Sequence, residues 1–119
     1  MVYSVHIYTV NQPRPFLLAF RHFGVWRLLA RRCLPGYVAT TVTRHPTCSS
    51  MWLVIHFWVS EETHVRALQS PTMAALEELT HKLTKNSRHL GVFTFEPGIE
   101  EGDRIIDGIR WVMTARVAR

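Results

Sequence analysis

Hydrophobic and polar positions along the first 44 residues predict a strand, a helix and a second strand. Residues 2–10 (VYSVHIYTV) and 37–44 (YVATTVTR) are rich in β-branched and aromatic residues, which is typical of strands. Between them we expect one helix over residues 14–34, ended by Pro35 and Gly36. Its apolar face consists of residues that recur at spacings of three and four: Phe16, Phe20, Phe23, Trp26, Ala30 and Cys33.

The second half of the chain continues this alternation of strands and helices. Residues 51–59 (MWLVIHFWV) predict a third strand, and Ser60 is an N-cap for a helical region that restarts where Ser70 precedes Pro71. Residues 91–96 (GVFTFE) predict a fourth strand. The order β-α-β-β-α-β predicts an α+β, ferredoxin-like antiparallel sheet with both helices on one face.

The third strand has two apolar faces, which is unusual for a sheet with helices on one side only. We expect one face to lie under the helices: Met51, Leu53, Ile55, Phe57 and Val59. The other face is large, aromatic and only slightly polar: Trp52, Val54, His56 and Trp58. A sheet face left in water should be polar, so we expect the same face of a second copy to cover it. The sequence therefore predicts a homodimer.

Composition agrees with a compact single domain. The chain has 119 residues, of which 47% are hydrophobic and 19% are charged, whereas about 25% charged residues is typical of soluble domains. This composition excludes a disordered chain. The apolar run at residues 51–59 is shorter than the roughly 20 residues that span a bilayer, and no signal-peptide pattern is recognised. With only Cys33 and Cys48, a reducing, cytoplasmic location is expected.

Positive charge is concentrated in the first half of the chain. The net charge is +5, and the first fifty residues contain six arginines but no acidic residue. Five of these arginines fall in the predicted helix, and we interpret them as a solvated helix face. No glycine-rich, RNP-like or finger-like motif accompanies them, so no nucleic-acid or membrane partner is expected.

Four short motifs carry a resemblance to a known family. They are Pro35-Gly36 before the second strand, residues 58–62 (WVSEE), Ser70-Pro71 and residues 91–93 (GVF). In this order and spacing, across residues 2–96, the chain resembles the antibiotic biosynthesis monooxygenase-like family of dimeric α+β barrels. The resemblance implies two ferredoxin-like subunits that pack their open sheet faces together. Beyond the fourth strand, residues 96–102 predict a loop and Asp103 can cap a last helix, so we expect a domain over residues 1–99 followed by a C-terminal helical extension over residues 100–119.

Within this fold the third strand lies beside the first, which places several chemically useful side chains on one face. The candidate catalytic residues are His6, His56 and Tyr8, and the candidate substrate-binding residues are Trp52, Trp58, Asn11 and His64. A histidine is suited to removing a phenolic proton near neutral pH, and tryptophan supplies a flat apolar wall.

Structural roles for the same side chains stay open. The two strand histidines are equally interpreted as buried neutral side chains, and a metal site would need a third ligand that the sequence does not place. The tryptophans are also typical of a core or a dimer interface, Asn11 of a turn, and His64 of a helix surface.

The resemblance implies oxidation of a small aromatic substrate, such as a phenol, hydroquinone or anthrone, by O₂ without a cofactor. A non-catalytic ligand-binding member, or a cyclase or isomerase of polyketide-like intermediates, are the alternatives. Haem is not expected, because the positions that match the functional residues of the haem-degrading branch are His6, Ala67 and Glu77, although His81 lies one turn further on. No metal or flavin is expected either. The predicted C-terminal helix is a dimer arm or a lid, with a membrane-surface helix as the alternative.

Overall fold

The computed structural model describes residues 1–94, and the predicted C-terminal extension lies outside these residues. The elements follow the predicted order, except that the first helical region consists of two helices. They are β1 (Val2–Thr9), α1 (Pro13–Phe20), α2 (Val25–Cys33), β2 (Tyr37–Arg44), β3 (Met51–Trp58), α3 (Glu61–Leu68), α4 (Pro71–Leu83) and β4 (Asn86–Thr94). None of the helices within residues 1–94 is long and apolar enough to cross a bilayer.

The four strands form one antiparallel sheet in the order β2-β3-β1-β4. The central pair is β1 and β3, in a register that sets Ser4 opposite His56 and His6 opposite Val54. On its other side, β3 pairs with β2 so that Thr40 lies opposite His56. This strand order confirms the ferredoxin-like fold and brings side chains from three strands to the middle of one sheet face.

The prediction of one continuous helix over residues 14–34 is wrong, because the chain breaks between Phe20 and Val25. At Gly24 the backbone passes so close to α1 that a Cβ atom would lie 2.2 Å from the carbonyl oxygen of Ala19. The break also turns Phe23 outward, where it is 69% exposed, whereas Trp26 at the start of α2 is buried. The apolar spacing of a helix continues on both sides of Gly24, so the spacing alone did not reveal the turn there.

The ends of the second helical region agree with the sequence. Ser60 caps α3 by accepting a hydrogen bond from the backbone N–H of Thr63, and the Thr63 side chain completes a capping box. Ser70 caps α4 in the same way, with Pro71 in its first turn. Two serine caps therefore fix the first residues of two consecutive helices.

The face of β3 that packs under the helices is the opposite of the one expected. Phe16 of α1 contacts Trp52, Trp26 of α2 stacks on His56, and Trp58 contacts His64 of α3. The helices of the same chain, and not a second copy, therefore cover the aromatic face of the strand. Both faces are apolar, so alternation alone did not distinguish them; the aromatic inner faces of α1 and α2 match the aromatic strand face.

The other side of the sheet has no described helix packed across it. Half-buried aliphatic side chains from the two central strands lie there: Ile7, Met51, Leu53 and Ile55. Tyr3 lies on the same side between the rings of Phe57 and Phe93, with centroid distances of 5.9 and 5.5 Å. We call this surface the open sheet face. It is apolar, as the sequence requires, but it consists of the residues that were expected under the helices.

Candidate active site

A cavity of about 370 Å³ lies between the helices and the covered side of the sheet. Small-molecule sites typically enclose about 300–1,000 Å³. Five of the seven histidines of the chain line this cavity: His6, His56, His64, His81 and His89. Aromatic and small polar side chains complete its walls, among them Tyr8, Trp26, Trp58, Ser4 and Thr80. We call this space the histidine cavity.

His56 is the most deeply buried of these histidines, and it is held on two sides. Its imidazole stacks on the indole of Trp26, with a centroid distance of 4.2 Å and an interplanar angle of 5°. Its Nδ1 is 2.8 Å from Oγ1 of Thr40, which is in turn 2.5 Å from the hydroxyl of Tyr37. The hydrogen-bonded chain fixes the orientation of the ring and leaves Nε2 as the nitrogen without a partner from β2.

His6 projects from the neighbouring strand into the middle of the cavity. Its ring lies 5.4 Å from that of His56, 4.7 Å from that of His89 and 5.8 Å from that of Tyr8, measured between centroids. The rings of His6 and Tyr8 are nearly parallel, at 5°. Because His6 is half-buried and touches each of these groups, it connects the deep part of the cavity with the mouth.

The environment keeps His6 and His56 neutral. Burial lowers the pKa of His6 to about 4, and the electrostatic influence of His89 and His64 acts in the same direction. Burial likewise holds the pKa of His56 well below 6.5, and the positive charges of His6 and Arg27 lower it further. Removing imidazole from water disfavours its cationic form, and a second imidazole nearby disfavours it further. At neutral pH, His6 and His56 are therefore hydrogen-bond acceptors rather than cations.

Tyr8 is a neutral hydrogen-bond donor in the same cavity. Burial raises the pKa of its phenol, and the nearby Glu77 carboxylate raises it further. Glu77 is exposed at the mouth of the cavity, as are His81 of α4 and His89 of β4. The mouth is therefore polar, whereas the interior is aromatic.

Trp58 forms an inner wall of the cavity. It is 1% exposed, and its ring lies 5.2 Å from that of His64 between centroids. Its indole N–H is buried and has no hydrogen-bond acceptor within residues 1–94. An unpaired buried donor costs about 1–3 kcal/mol, so an oxygen atom brought close to it by a ligand would gain a hydrogen bond.

The structure brings together five of the seven side chains that the sequence selected: His6, Tyr8, His56, Trp58 and His64. It does not bring Trp52 or Asn11 to the histidine cavity. Trp52 is buried against Phe16, with Arg44 over its ring, near the far end of β3. Asn11 follows β1 and is exposed beside Lys82 and Lys85. Trp52 lies opposite Tyr8 in the sheet, but Tyr8 lines the cavity and Trp52 does not.

Several cavity residues were missed at the sequence level. Trp26 was assigned to a helix core, although it stacks on His56, and Thr40 was not assigned a role. His89 lies in β4, which begins at Asn86 rather than at Gly91 as predicted. Counting the β2–β3 register outward from the turn at residues 45–50 would have placed Thr40 opposite His56, because the two strands are neighbours in this fold.

The cluster of histidines is not arranged as a metal site. Within the described residues, no group of three or more histidine, cysteine, aspartate or glutamate side chains has an arrangement that could hold a metal ion. The short distances inside the cluster are ring-to-ring contacts, as in the stacked pair His6 and His89.

Comparison with solved structures identifies proteins of the same fold. The chain matches SnoaB, a cofactor-independent oxygenase from Streptomyces nogalater, at a TM-score of 0.68 and 25% identity, covering 83% of this chain and 96% of SnoaB. It matches a proposed antibiotic biosynthesis monooxygenase from Deinococcus radiodurans at a TM-score of 0.58 and 14% identity, covering 84% and 97% of the two chains. A protein with the same proposed activity from Caulobacter crescentus matches at 0.59 and 14%, covering 77% and 86%.

No protein-family model matches the chain, and no curated protein matches it either. The structural neighbours nevertheless cover most of the chain and confirm the resemblance to the antibiotic biosynthesis monooxygenase-like proteins. The identities of 14% show a shared fold alone. The chemistry of this chain must therefore be argued from its own cavity.

The lowered pKa of His6 makes stability dependent on pH. In the unfolded chain His6 binds a proton as the pH falls below 6.5, whereas in the folded chain it does so only near pH 4. Acid therefore favours the unfolded state. The contribution of neutral His6 to the free energy of unfolding is fully present above pH 6.5. It is lost as the pH falls towards 4, and the loss amounts to about 3 kcal/mol. In urea unfolding at pH 7 and pH 4.5, we expect His6→Gln to lose clearly less stability than the wild-type protein. His45→Gln, at an exposed turn outside the cavity, should behave as wild type. Equal acid sensitivity of His6→Gln and wild type would contradict the prediction.

Proposed function

We propose that the chain is a homodimeric, cofactor-independent oxygenase that oxidises a small aromatic substrate of the phenol, hydroquinone or anthrone type with O₂. One observation carries the proposal: the histidine cavity combines neutral imidazoles with aromatic walls in a space of about 370 Å³. The similarity to SnoaB, itself a cofactor-independent oxygenase, supports the reaction class. The substrate class is the one that the resemblance to the antibiotic biosynthesis monooxygenase-like family implies, and the aromatic walls of the cavity suit a planar substrate of this kind.

His6 is the proton acceptor in this proposal. It is neutral above pH 4, lies in the middle of the cavity and is close to the mouth through which a substrate enters. Transfer of a phenolic or enolic proton to its imidazole creates an anion beside the new cation, and this attraction offsets the penalty for charging a buried imidazole. His56, held in place by Thr40 and Trp26, is the second acceptor behind it.

The remaining residues position the substrate. Tyr8 keeps its proton and donates a hydrogen bond to a substrate oxygen. Trp58 supplies a flat wall and an indole N–H that lacks an acceptor among residues 1–94. His64, buried against Trp58, completes this wall. Aromatic walls exclude water and hold both a planar substrate and apolar O₂.

The electrons for the reaction come from the organic substrate. For an anthrone-type substrate, a CH₂ group reacts with O₂ to give a carbonyl group and water, so one oxygen atom enters the product and the other leaves as water. Removal of one proton by His6 gives an electron-rich anion that O₂ oxidises to a carbon-bound peroxide. The imidazolium returns its proton to that peroxide. Loss of the second C–H proton then breaks the O–O bond and releases hydroxide, which is protonated to water.

In this proposal the homodimer interface lies on the open sheet face. Its central residues are aliphatic and half-buried, and a contiguous apolar surface that stays accessible to solvent is typical of an interaction site. A second copy is the natural occupant because the face is chemically self-complementary, apolar against apolar. In this arrangement the histidine cavity of each subunit remains on the helix side of its own sheet.

The oxidation is tested by measuring oxygen uptake with a panel of anthrones and hydroquinones. We expect His6→Gln to lower kcat/KM by about 10²-fold, because removal of a general base costs this much or more. Trp58→Phe keeps an aromatic wall without the N–H and should lower kcat/KM by a smaller factor. The matched control is His22→Gln. His22 lies outside the cavity, and its ring nitrogen Nδ1 is hydrogen-bonded to the Arg31 side chain.

Two results would contradict the oxygenase. Binding of the aromatic compounds without oxygen uptake would favour a non-catalytic binding protein, and rearrangement of a polyketide-like compound without oxygen uptake would favour a cyclase or isomerase. Equal activity of His6→Gln and His22→Gln would exclude the proposed role of the cavity.

The homodimer is tested separately by light scattering. We expect a mass near twice the 13.8 kDa of one chain. Leu53→Glu places a charge in the centre of the open sheet face and should give monomers, because burying an unpaired carboxylate is strongly unfavourable. Val65→Glu, at an exposed position on α3, is the matched control and should remain a dimer. A monomeric wild-type protein would contradict the proposal.

A further inference from the structure

A second concavity, separate from the histidine cavity, lies along the outer side of α1. It has a volume of about 600 Å³, and none of the residues 1–94 lines both this concavity and the histidine cavity. Its lining combines apolar side chains with three arginines: Pro13, Arg14, Leu17, Leu18, Phe20, Arg21, Arg27 and Val42. We call it the arginine groove. Neither the candidate active site nor the open sheet face accounts for it.

The outer stripe of α1 alternates charge and apolar surface. Arg14, Leu17, Leu18 and Arg21 are spaced so that they share one helix face, and all four are exposed. The two leucines are 41% and 45% exposed, which is high for side chains that line a concave surface. A guanidinium therefore lies at each end of an exposed apolar strip.

Arg27 adds a third positive charge from α2. It is only 6% exposed, in contrast to the solvated helix face that the sequence suggested. Arginine keeps its charge when buried, so its position fixes a positive potential in the wall of the groove. Among residues 1–94, no acidic residue lines the groove. The described lining therefore combines apolar side chains with three arginines.

We propose that the arginine groove binds a small carboxylate with an apolar body. The planar guanidinium groups match a carboxylate in bidentate geometry, and Leu17, Leu18 and Val42 contact the hydrocarbon part. A single compact anionic head on a hydrophobic body fits a groove whose remaining lining is mostly hydrocarbon. This binding site is independent of the proposed oxygenase reaction.

Arg27 also connects the groove with the histidine cavity. Its positive charge is one of the causes that lower the pKa of buried His56.

The proposal is tested by calorimetric titration with decanoate, used below its micelle concentration, and with uncharged decanol as the matched neutral compound. We expect decanoate to bind and decanol to bind at least tenfold more weakly. The double variant R14A/R21A removes two exposed charges from the groove and should raise the Kd for decanoate at least tenfold. R32A/R88A removes two exposed arginines outside the groove and should leave the Kd unchanged. Methyl NMR signals of Leu17, Leu18 and Val42 should shift on binding.

Other outcomes would overturn the proposal. Equal affinity for decanol and decanoate would show that the carboxylate does not contribute to binding. An equal rise of the Kd for decanoate in R32A/R88A would show non-specific attraction to the net charge of the protein. Shifts confined to the histidine cavity or the open sheet face would place the ligand elsewhere. Binding to phosphatidylglycerol vesicles through Arg14 and Arg21, with no binding of monomeric decanoate, would identify a membrane surface instead.

Discussion

The burial of the His56 imidazole is the constraint on which the site depends. The ring lies under the indole of Trp26 and beside the hydroxyl of Thr40, so three elements must meet around it. A buried imidazole that has lost its water is stable only if it is neutral and hydrogen-bonded. The Tyr37–Thr40–His56 chain meets that requirement and, at the same time, fixes one edge of the histidine cavity. The same contacts therefore stabilise the buried His56 and shape the histidine cavity.

This constraint also separates the two faces of the sheet. Stacking of Trp26 on His56 and contact of Phe16 with Trp52 commit the aromatic face to the helices of the same chain. The aliphatic face, with Leu53 and Ile55 at its centre, is the one on which we propose that a second copy packs. One side of the sheet encloses a cavity, and the other is assigned to association in our proposal. The arginine groove lies outside both surfaces and uses the charge that remains in the first half of the chain.

Much of the fold could be predicted from the sequence, because strand composition and helix caps act locally. Ser60 and Ser70 marked their helices correctly, and β2 was predicted at its true bounds. The break at Gly24 depends on a close approach to the carbonyl of Ala19, which no periodic pattern records. The covered face of β3 was assigned wrongly, because both faces are apolar and only the partner rings on the helices distinguish them. His6 and His56 were correctly assigned to one sheet face, because side chains alternate between the two faces along neighbouring strands. Trp26 and Thr40 reach the same cluster through tertiary packing, which the alternation does not show.

The most direct test of this account is an NMR titration of the imidazole rings in the ligand-free protein. The account predicts that His6 is neutral at pH 7 and titrates near pH 4, and that the pKa of His56 lies well below 6.5, because both rings are removed from water. Titration of either ring near pH 6.5 would mean that water reaches the covered face of the sheet. In that case the enclosed aromatic cavity, and the chemistry built on it, would be contradicted.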